Sequence, residues 1–240
     1  GDSPYQCFSA FAGNPYLISP DDLFADELLT QDDLDSMKDL PASRVDFGLF
    51  IPKKLNFLLT AYQRFKTHPE NLRDSHSTSL RASFNYFCAE NASWLDDFSL
   101  FMSLKEANGG GAWNGWDASL RSRKKAALDK AKKELAESVE RYSFYQFLFF
   151  RQWRRLREYA NEKGIQIMGD IPIFVAYDSA DVWTNPDLFF LDKDGNPTVV
   201  AGVPPDGFSA TGQLWGNPLY NWEVHKRDGY KWWLSRVRSA

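Results

Sequence analysis

Apolar positions along the chain keep one period for most of its length and then lose it. Leu128, Ala131, Leu135, Val139, Tyr142, Tyr145, Phe149, Trp153, Leu156 and Ala160 follow one another at spacings of three and four. That spacing predicts helix over about 120–163, as one helix or as two with a bend. Gly164 stands where a helix C-terminal glycine belongs. The charged first half of this stretch predicts a solvent-facing side, whereas residues 144–150 are apolar nearly all round, which predicts burial. Upstream, Leu55, Leu58, Leu59, Tyr62 and Phe65 recur at helical spacing after Pro52, read as a first-turn proline. Phe84, Phe87 and Cys88 open another helical pattern, continued by Trp94, Phe98, Phe101 and Met102 and ended by Asn108-Gly-Gly-Gly111. Residues 1–20, rich in Pro, Gly, Ser and Asn, read as a long loop.

After Gly164 the pattern changes. Ile165-Gln-Ile-Met168 predicts a buried strand that runs into Gly169-Asp170-Ile-Pro-Ile-Phe-Val175. Helix, then strand, then a carboxylate just past the strand is the order of an α/β barrel, whose strand C-terminal ends carry the chemistry. Residues 191–200 predict a turn between two short extended pieces. Their Asp-Lys-Asp-Gly-Asn run suggests calcium, but the glycine is too early for an EF-hand loop and no bidentate Glu follows in place. A plain turn is the better reading. The chain thus divides into a loop (1–20), a mainly helical region running into the long helix (21–160), and a strand, loop and C-terminal helix region (161–240). Gly1 opens loop-like sequence and the helical pattern from Lys231 to Ala240 meets no stop signal, so both ends read as those of a fragment.

Composition narrows the function. Hydrophobic residues make up 43% of the chain, enough for a substantial core. Twenty-eight basic against thirty-two acidic residues give a net charge of −4, which argues against a nucleic-acid partner. No apolar run is long enough to span a bilayer, and no signal segment follows Gly1. Cys7 and Cys88, without a C-x-x-C pair or zinc spacing, fit a reducing cytoplasm better than a disulfide scaffold.

The candidate chemistry lies in two places. The stretch from Gly202 to Trp222 has no period yet carries Phe208, Leu214, Trp215, Leu219, Tyr220 and Trp222. Loops of this length are functional or disordered, and so many aromatic and aliphatic side chains argue against disorder. Asp206, Gln213 and Asn217 add polar groups that match hydroxyls. A pyranose has an apolar C–H face and a hydroxyl rim, so binding is favoured over pure packing for Phe208 and Trp215. Asp170, set among apolar residues, is costly to bury unless paired or used; a structural ion pair, a cap and a ligand role all stay open. Asp178 and Asp181 read as helix caps or backbone partners. Arg151, Arg154, Arg155 and Arg157 read as a solvated helix face. His68, His76 and His225 lie far apart without metal-ligand spacing and receive no role.

Several blocks resemble one family. Gly1 to Leu17 is similar to the loop after the first barrel strand of amylomaltases, the 4-α-glucanotransferases of the α-amylase clan. Gly169-Asp-Ile-Pro-Ile-Phe-Val175, Asp178-Ser-Ala-Asp-Val-Trp183, Val203-Pro-Pro-Asp-Gly-Phe-Ser209 and Gly212-Gln-Leu-Trp-Gly-Asn-Pro-Leu-Tyr220 agree in order. The resemblance implies a partial (β/α)8 TIM barrel with a large inserted helical subdomain, helix-rich overall. It implies maltooligosaccharides or α-1,4-glucans as partners and no metal or organic cofactor. By the same resemblance Ser3 and Tyr5 line the sugar beside the cleaved bond, with Tyr5 as its stacking platform, and Asp170 binds a hydroxyl there. Asp206 and Phe208 then belong to a lid over the acceptor side, and Gln213 and Trp215 contact sugar nearby. Gly207 and Ala210 depart from the bulkier or acidic residues that relatives often carry.

The family's nucleophilic aspartate stands in an Arg-x-Asp-His-Phe-Arg-Gly block, which is absent from residues 1–240. The acid/base glutamate and a third aspartate lie later still, and the first barrel strand precedes Gly1. The implied reaction is retaining double displacement, with two carboxyl groups roughly 5–5.5 Å apart and a sugar hydroxyl resolving the glycosyl-enzyme. The isolated chain is expected to be inactive. A non-catalytic carbohydrate-binding module is the alternative, and a hydrolase of the same clan a third reading.

Overall fold

The computed structural model describes residues 6–67 and 79–239. In chain order its helices are α1 (Pro20–Ala25), α2 (Gln31–Asp35), α3 (Phe47–Thr67), α4 (Leu80–Ala107), α5 (Ala118–Arg121), α6 (Lys125–Glu134), α7 (Ala136–Glu162), α8 (Ala180–Thr184), α9 (Trp222–Arg227) and α10 (Lys231–Ser239). Strands β1 (Val200–Val203) and β2 (Gln213–Pro218) pair antiparallel, the one sheet among the described residues. The described residues fall into two compact units. One takes in Gly13–Asp96 and Glu137–Ile167; the other takes in the stretch up to Ala12, Asp97–Ala136 and the stretch from Met168 on. No helix among the described residues is long and apolar enough to cross a membrane.

The unit built on α3 and α7 has an aromatic core. Phe65 stacks on Phe144 with centroids 4.4 Å apart, and Phe84 meets both Phe65 and Phe147 edge-on. Arg81 lies over Phe65 at 3.9 Å and donates to Glu140 at 2.5 Å, while the Tyr62 hydroxyl donates to the other Glu140 oxygen at 2.8 Å. Burial would raise the Glu140 carboxyl, but the Arg81 and Tyr62 hydrogen bonds outweigh it and hold the group below its ordinary value. Two glutamines of α7 each hold one backbone position at either end of residues 13–19. Gln146 accepts from Gly13 N–H at 2.7 Å and donates to Gly13 carbonyl at 3.0 Å; Gln152 does the same at Ser19, at 2.7 and 3.2 Å. Gly13 must be glycine, because a Cβ there would lie 1.9 Å from Phe149.

Several expectations change. Helix α3 starts at Phe47, not at Pro52, because Asp46 caps it by accepting from Leu49 N–H at 3.2 Å. Pro52 therefore lies inside the helix, in its second turn, where it has no N–H to give the carbonyl four residues back. Its buried face runs through Phe57, Leu58, Ala61, Tyr62 and Phe65, leaving Leu55 and Leu59 exposed. The long periodic stretch folds as α5, α6 and α7, because Arg123 takes a left-handed φ of 52° and Leu135 leaves helical geometry at φ −107°. Gly164 does end α7, at φ 72°, with Ile165 N–H bonded to Ala160 carbonyl at 2.9 Å. Arg151 is not a solvated side chain. It makes a two-pronged pair with Asp26, the side chains 11% and 9% exposed, with Arg155 3.8 Å from the same carboxylate. Arg154 and Arg157 are exposed as expected.

Ile165–Met168 is not a buried strand. It is extended chain without a ladder, and Met168 is 95% exposed. A strand exists only through its neighbours' N–H and C=O groups, and no described residue supplies them here. Residues 191–200 do form a plain turn. Asp192 accepts from Asp194 N–H at 2.8 Å and Asn196 N–H at 2.9 Å, and Leu191 pairs with Pro197.

Two outcomes test this packing. Asp26→Ala strands the Arg151 guanidinium and is expected to cost about 3 kcal/mol in urea unfolding; adding Arg151→Met should recover part of that loss. Lys54 is buried and donates to the Ile18 carbonyl, and burial holds its ammonium at about 8, below 10.5. Between those values the unfolded chain keeps a proton that the folded chain has lost. Stability relative to Lys54→Met should therefore rise as pH climbs from 8 to 10.5, by about 1–3 kcal/mol, and thermal melts of both proteins across that range measure it.

Candidate functional site

The stretch after Val200 folds as a hairpin, not as an aperiodic loop. Val203 pairs with Gln213 and Gly202 with Leu214, with a bulge between Val200 and Gly202. Backbone pairing needs no hydrophobic period, which is why the pattern hid it. Asp206 builds the turn: its Oδ1 accepts from Phe208 N–H and Ser209 N–H, both at 2.8 Å. Gly212 takes φ 75°, and a Cβ there would lie 2.5 Å from the Val203 carbonyl oxygen, so this position closes the turn only as glycine. The result is a hairpin arm that holds Phe208 in solvent, 97% exposed. Trp215 on β2 is 45% exposed, with its indole N–H donating to Gln213 Oε1 at 3.0 Å.

The arm returns to the segment that follows Asp170. Phe174 meets Trp215 edge-on at 6.2 Å and stacks on Tyr220 at 6.2 Å and 15°. Asn217 is buried and donates to the Val175 carbonyl at 2.8 Å, and the Tyr220 hydroxyl donates to the Ile173 carbonyl at 2.9 Å. Arg236 of α10 donates to the Pro172 carbonyl. Asp170 itself is exposed. It lines a cavity of 440 Å³ together with Cys7, Ser9, Pro172, Phe174 and Arg236.

Beneath the cavity sits a buried carboxylate. Asp181 Oδ2 accepts from Ala10 N–H at 2.7 Å and its Oδ1 from the Trp232 indole at 3.0 Å. Burial raises the Asp181 carboxyl above its ordinary range, opposed by those two donors and by the nearby Arg236 charge. Ser179, not an aspartate, caps α8 by accepting from Val182 N–H at 3.4 Å. Asp178 pairs with Lys105 and accepts from Trp113 N–H at 3.3 Å. Both aspartates thus serve the backbone, as one of their sequence readings held. Burial pushes the Cys7 thiol up, which disfavours a reactive thiolate.

The sequence candidates separate into groups. Ser3 and Tyr5 lie outside the described residues, as do His68 and His76. Asp170 lies on the cavity, and Phe174 links it to Trp215. Asp206, Phe208, Gln213 and Trp215 belong to the arm and are not part of the cavity wall. Asp206 Oδ1 is engaged by the turn, and Gln213 Oε1 by the Trp215 indole. Asn217, read as a hydroxyl-matching group, instead binds a backbone carbonyl, because the chain at 175 has no ladder to satisfy it. His225 is buried among Tyr220, Trp222 and Trp232, and burial lowers its imidazole. Arg236 escaped the sequence reading because a lone arginine in a helical pattern carries no signal of burial. Among the described residues no group of His, Cys, Asp and Glu could hold a metal.

Comparison with known proteins places this geometry. A family model described as 4-alpha-glucanotransferase matches residues 1–240. The 4-alpha-glucanotransferase of Thermus thermophilus is 49% identical over all of this chain and 46% of its own length. That of Clostridium butyricum is 44% identical, again over all of this chain and 47% of its own length. A solved amylomaltase from Streptococcus agalactiae, in complex with acarbose, superposes with a TM-score of 0.89 at 39% identity, covering 99% of this chain and 46% of that one. The chain spans about half the length of the relatives it matches. With a match over its full extent, the chain belongs to the 4-alpha-glucanotransferase family.

Proposed function

We propose that these residues form the substrate-binding part of an amylomaltase that moves α-1,4-glucan segments between maltooligosaccharides. The observation that carries the reading is the pairing of a carboxylate with open aromatic faces. Asp170 lines the cavity, Phe174 joins it to the half-exposed Trp215, and the hairpin keeps Phe208 in water. A sugar ring needs both kinds of group, an apolar plate for its C–H face and an acceptor for its hydroxyls. The related structure carrying acarbose supports the same class of ligand.

Residues 165–175 lead into the site, with Ile165, Ile167, Met168 and Ile173 exposed along them. Residues 21–160 act as the inserted helical region and 1–20 as the loop after the first strand. Ser3 and Tyr5 complete the sugar position on Asp170, with Asp206 and Phe208 as lid and Gln213 and Trp215 as nearby contacts. The chemistry is retaining double displacement, its carboxylates supplied by the Arg-x-Asp-His-Phe-Arg-Gly block and later motifs that residues 1–240 do not contain. Exclusion of water by the lid then favours transfer over hydrolysis. No cofactor is required. The two cysteines, neither in a disulfide, suit a cytoplasmic location.

Calorimetric titration of the chain with acarbose tests the site. Asp170→Asn and Trp215→Ala are each expected to weaken binding about tenfold, the scale of one charged hydrogen bond or one lost plate, while Asp192→Asn, in the remote turn, leaves it unchanged. Equal affinity in all three variants would sink the assignment. Glucose release from maltotriose should be absent, and sustained turnover would show that the chemistry lies within these residues.

A further inference from the structure

The segment that carries Asp170 is held in an unusual way. Among the described residues, 170–175 form no strand and no helix. Yet three of its carbonyls are taken by side chains, two from the return limb of the hairpin and one from α10. Arg236 of α10 donates to the Pro172 oxygen, the Tyr220 hydroxyl donates to the Ile173 oxygen at 2.9 Å, and Asn217 at the end of β2 donates to the Val175 oxygen at 2.8 Å. The three holders are also joined to one another. Arg236 donates to the Tyr220 oxygen at 3.4 Å, and Asn217 and Tyr220 lie on the return limb of the arm that bears Trp215.

The choice of groups is informative. Arg236 is 4% exposed, and its guanidinium donates to a neutral carbonyl and a phenol while lying 5.4 and 5.1 Å from the ring centres of Trp232 and Trp233. Burying an arginine for that purpose is expensive, and a backbone oxygen at a solvated loop could have used water instead. The nearby Asp181 charge offsets part of the cost. Asp181 in turn binds Trp232, one helical turn before Arg236, and the Ala10 N–H on the cavity wall. One face of α10 therefore reaches the Pro172 wall directly through Arg236 and the Ala10 wall through Asp181.

We infer that Asn217, Tyr220 and Arg236 are positioning residues, a carbonyl clamp that sets Asp170 relative to the aromatic arm and so sets the width of the glucan site. The clamp rests on the glucan reading given above for its functional consequence, though not for its structural one. Displacing the backbone that carries a carboxylate by even an ångström is enough to lose an oriented hydrogen bond.

Tyr220→Phe is the sharpest probe, because it removes one hydroxyl and two clamp contacts while keeping the ring stacked on Phe174. Acarbose affinity of the 240-residue chain at 25 °C is expected to fall about fivefold in Tyr220→Phe. Arg236→Met should lose at least as much, and Arg236→Lys, which keeps a donor, should recover most of it. A purely structural role would lower the melting temperature of these variants without that graded rescue in affinity. Wild-type affinity in both Tyr220→Phe and Arg236→Met overturns the clamp, and Tyr220→Phe alone decides should Arg236→Met not fold. Crystal structures of the ligand-free wild type and Tyr220→Phe give an independent answer. A shift of the Asp170 segment away from Trp215, with α10 in place, supports the clamp; an unmoved segment overturns it. Failure of the wild-type chain to bind acarbose removes the glucan reading, and the crystal comparison then settles the clamp by itself.

Discussion

The cavity-bearing unit depends on one buried carboxylate. Asp181 gathers an N–H from residue 10 and an indole from residue 232, so three segments remote in sequence meet on two oxygens. Charge buried this deeply is tolerated only when its lone pairs are filled, and here each filling partner does structural work. The Ala10 bond places the start of the chain against α8. The Trp232 bond orients α10, and α10 in turn delivers Arg236 to the segment after Asp170. Remove the carboxylate and the two walls lose their common reference.

Much of the helical body was legible because its physics is local. A period of three and four reported α3, α4 and α7, and the glycines at 109, 110 and 164 reported where α4 and α7 stop, each with a positive φ. What the period could not report was phase and interruption. Leu55 and Leu59 look like core by spacing but face water, because Phe57 and Ala61 are the residues that meet the partner helices. The breaks at Arg123 and Leu135 leave no mark in hydrophobicity at all. Arg151 shows the same limit: its partner Asp26 lies 125 positions away, beyond any window.

At the site, residue type was legible and arrangement was not. Exposure of Phe208 and Trp215 follows the expectation that they do not serve as core. The hairpin that presents them came from backbone pairing and from Asp206, Gly202 and Gly212, signals that period analysis does not weigh. Asn217 was assigned to hydroxyl recognition because an amide suits either task. Only its buried carbonyl partner distinguishes them. The expected strand at 165–168 failed for a related reason, since a strand is a property of two segments and a sequence window holds one.

Phe208 carries a consequence beyond its own geometry. A phenyl ring fixed in water retains on the order of 2–3 kcal/mol of unrealised transfer free energy, released to whatever covers it. That release is nearly blind to identity, because dispersion and dehydration reward any flat apolar face. Discrimination has to come from groups that suffer when left without a partner, and a carboxylate is such a group. On the glucan reading proposed above, the arm sets how tightly a ligand stays, while Asp170 on the cavity wall sets which ligand is admitted.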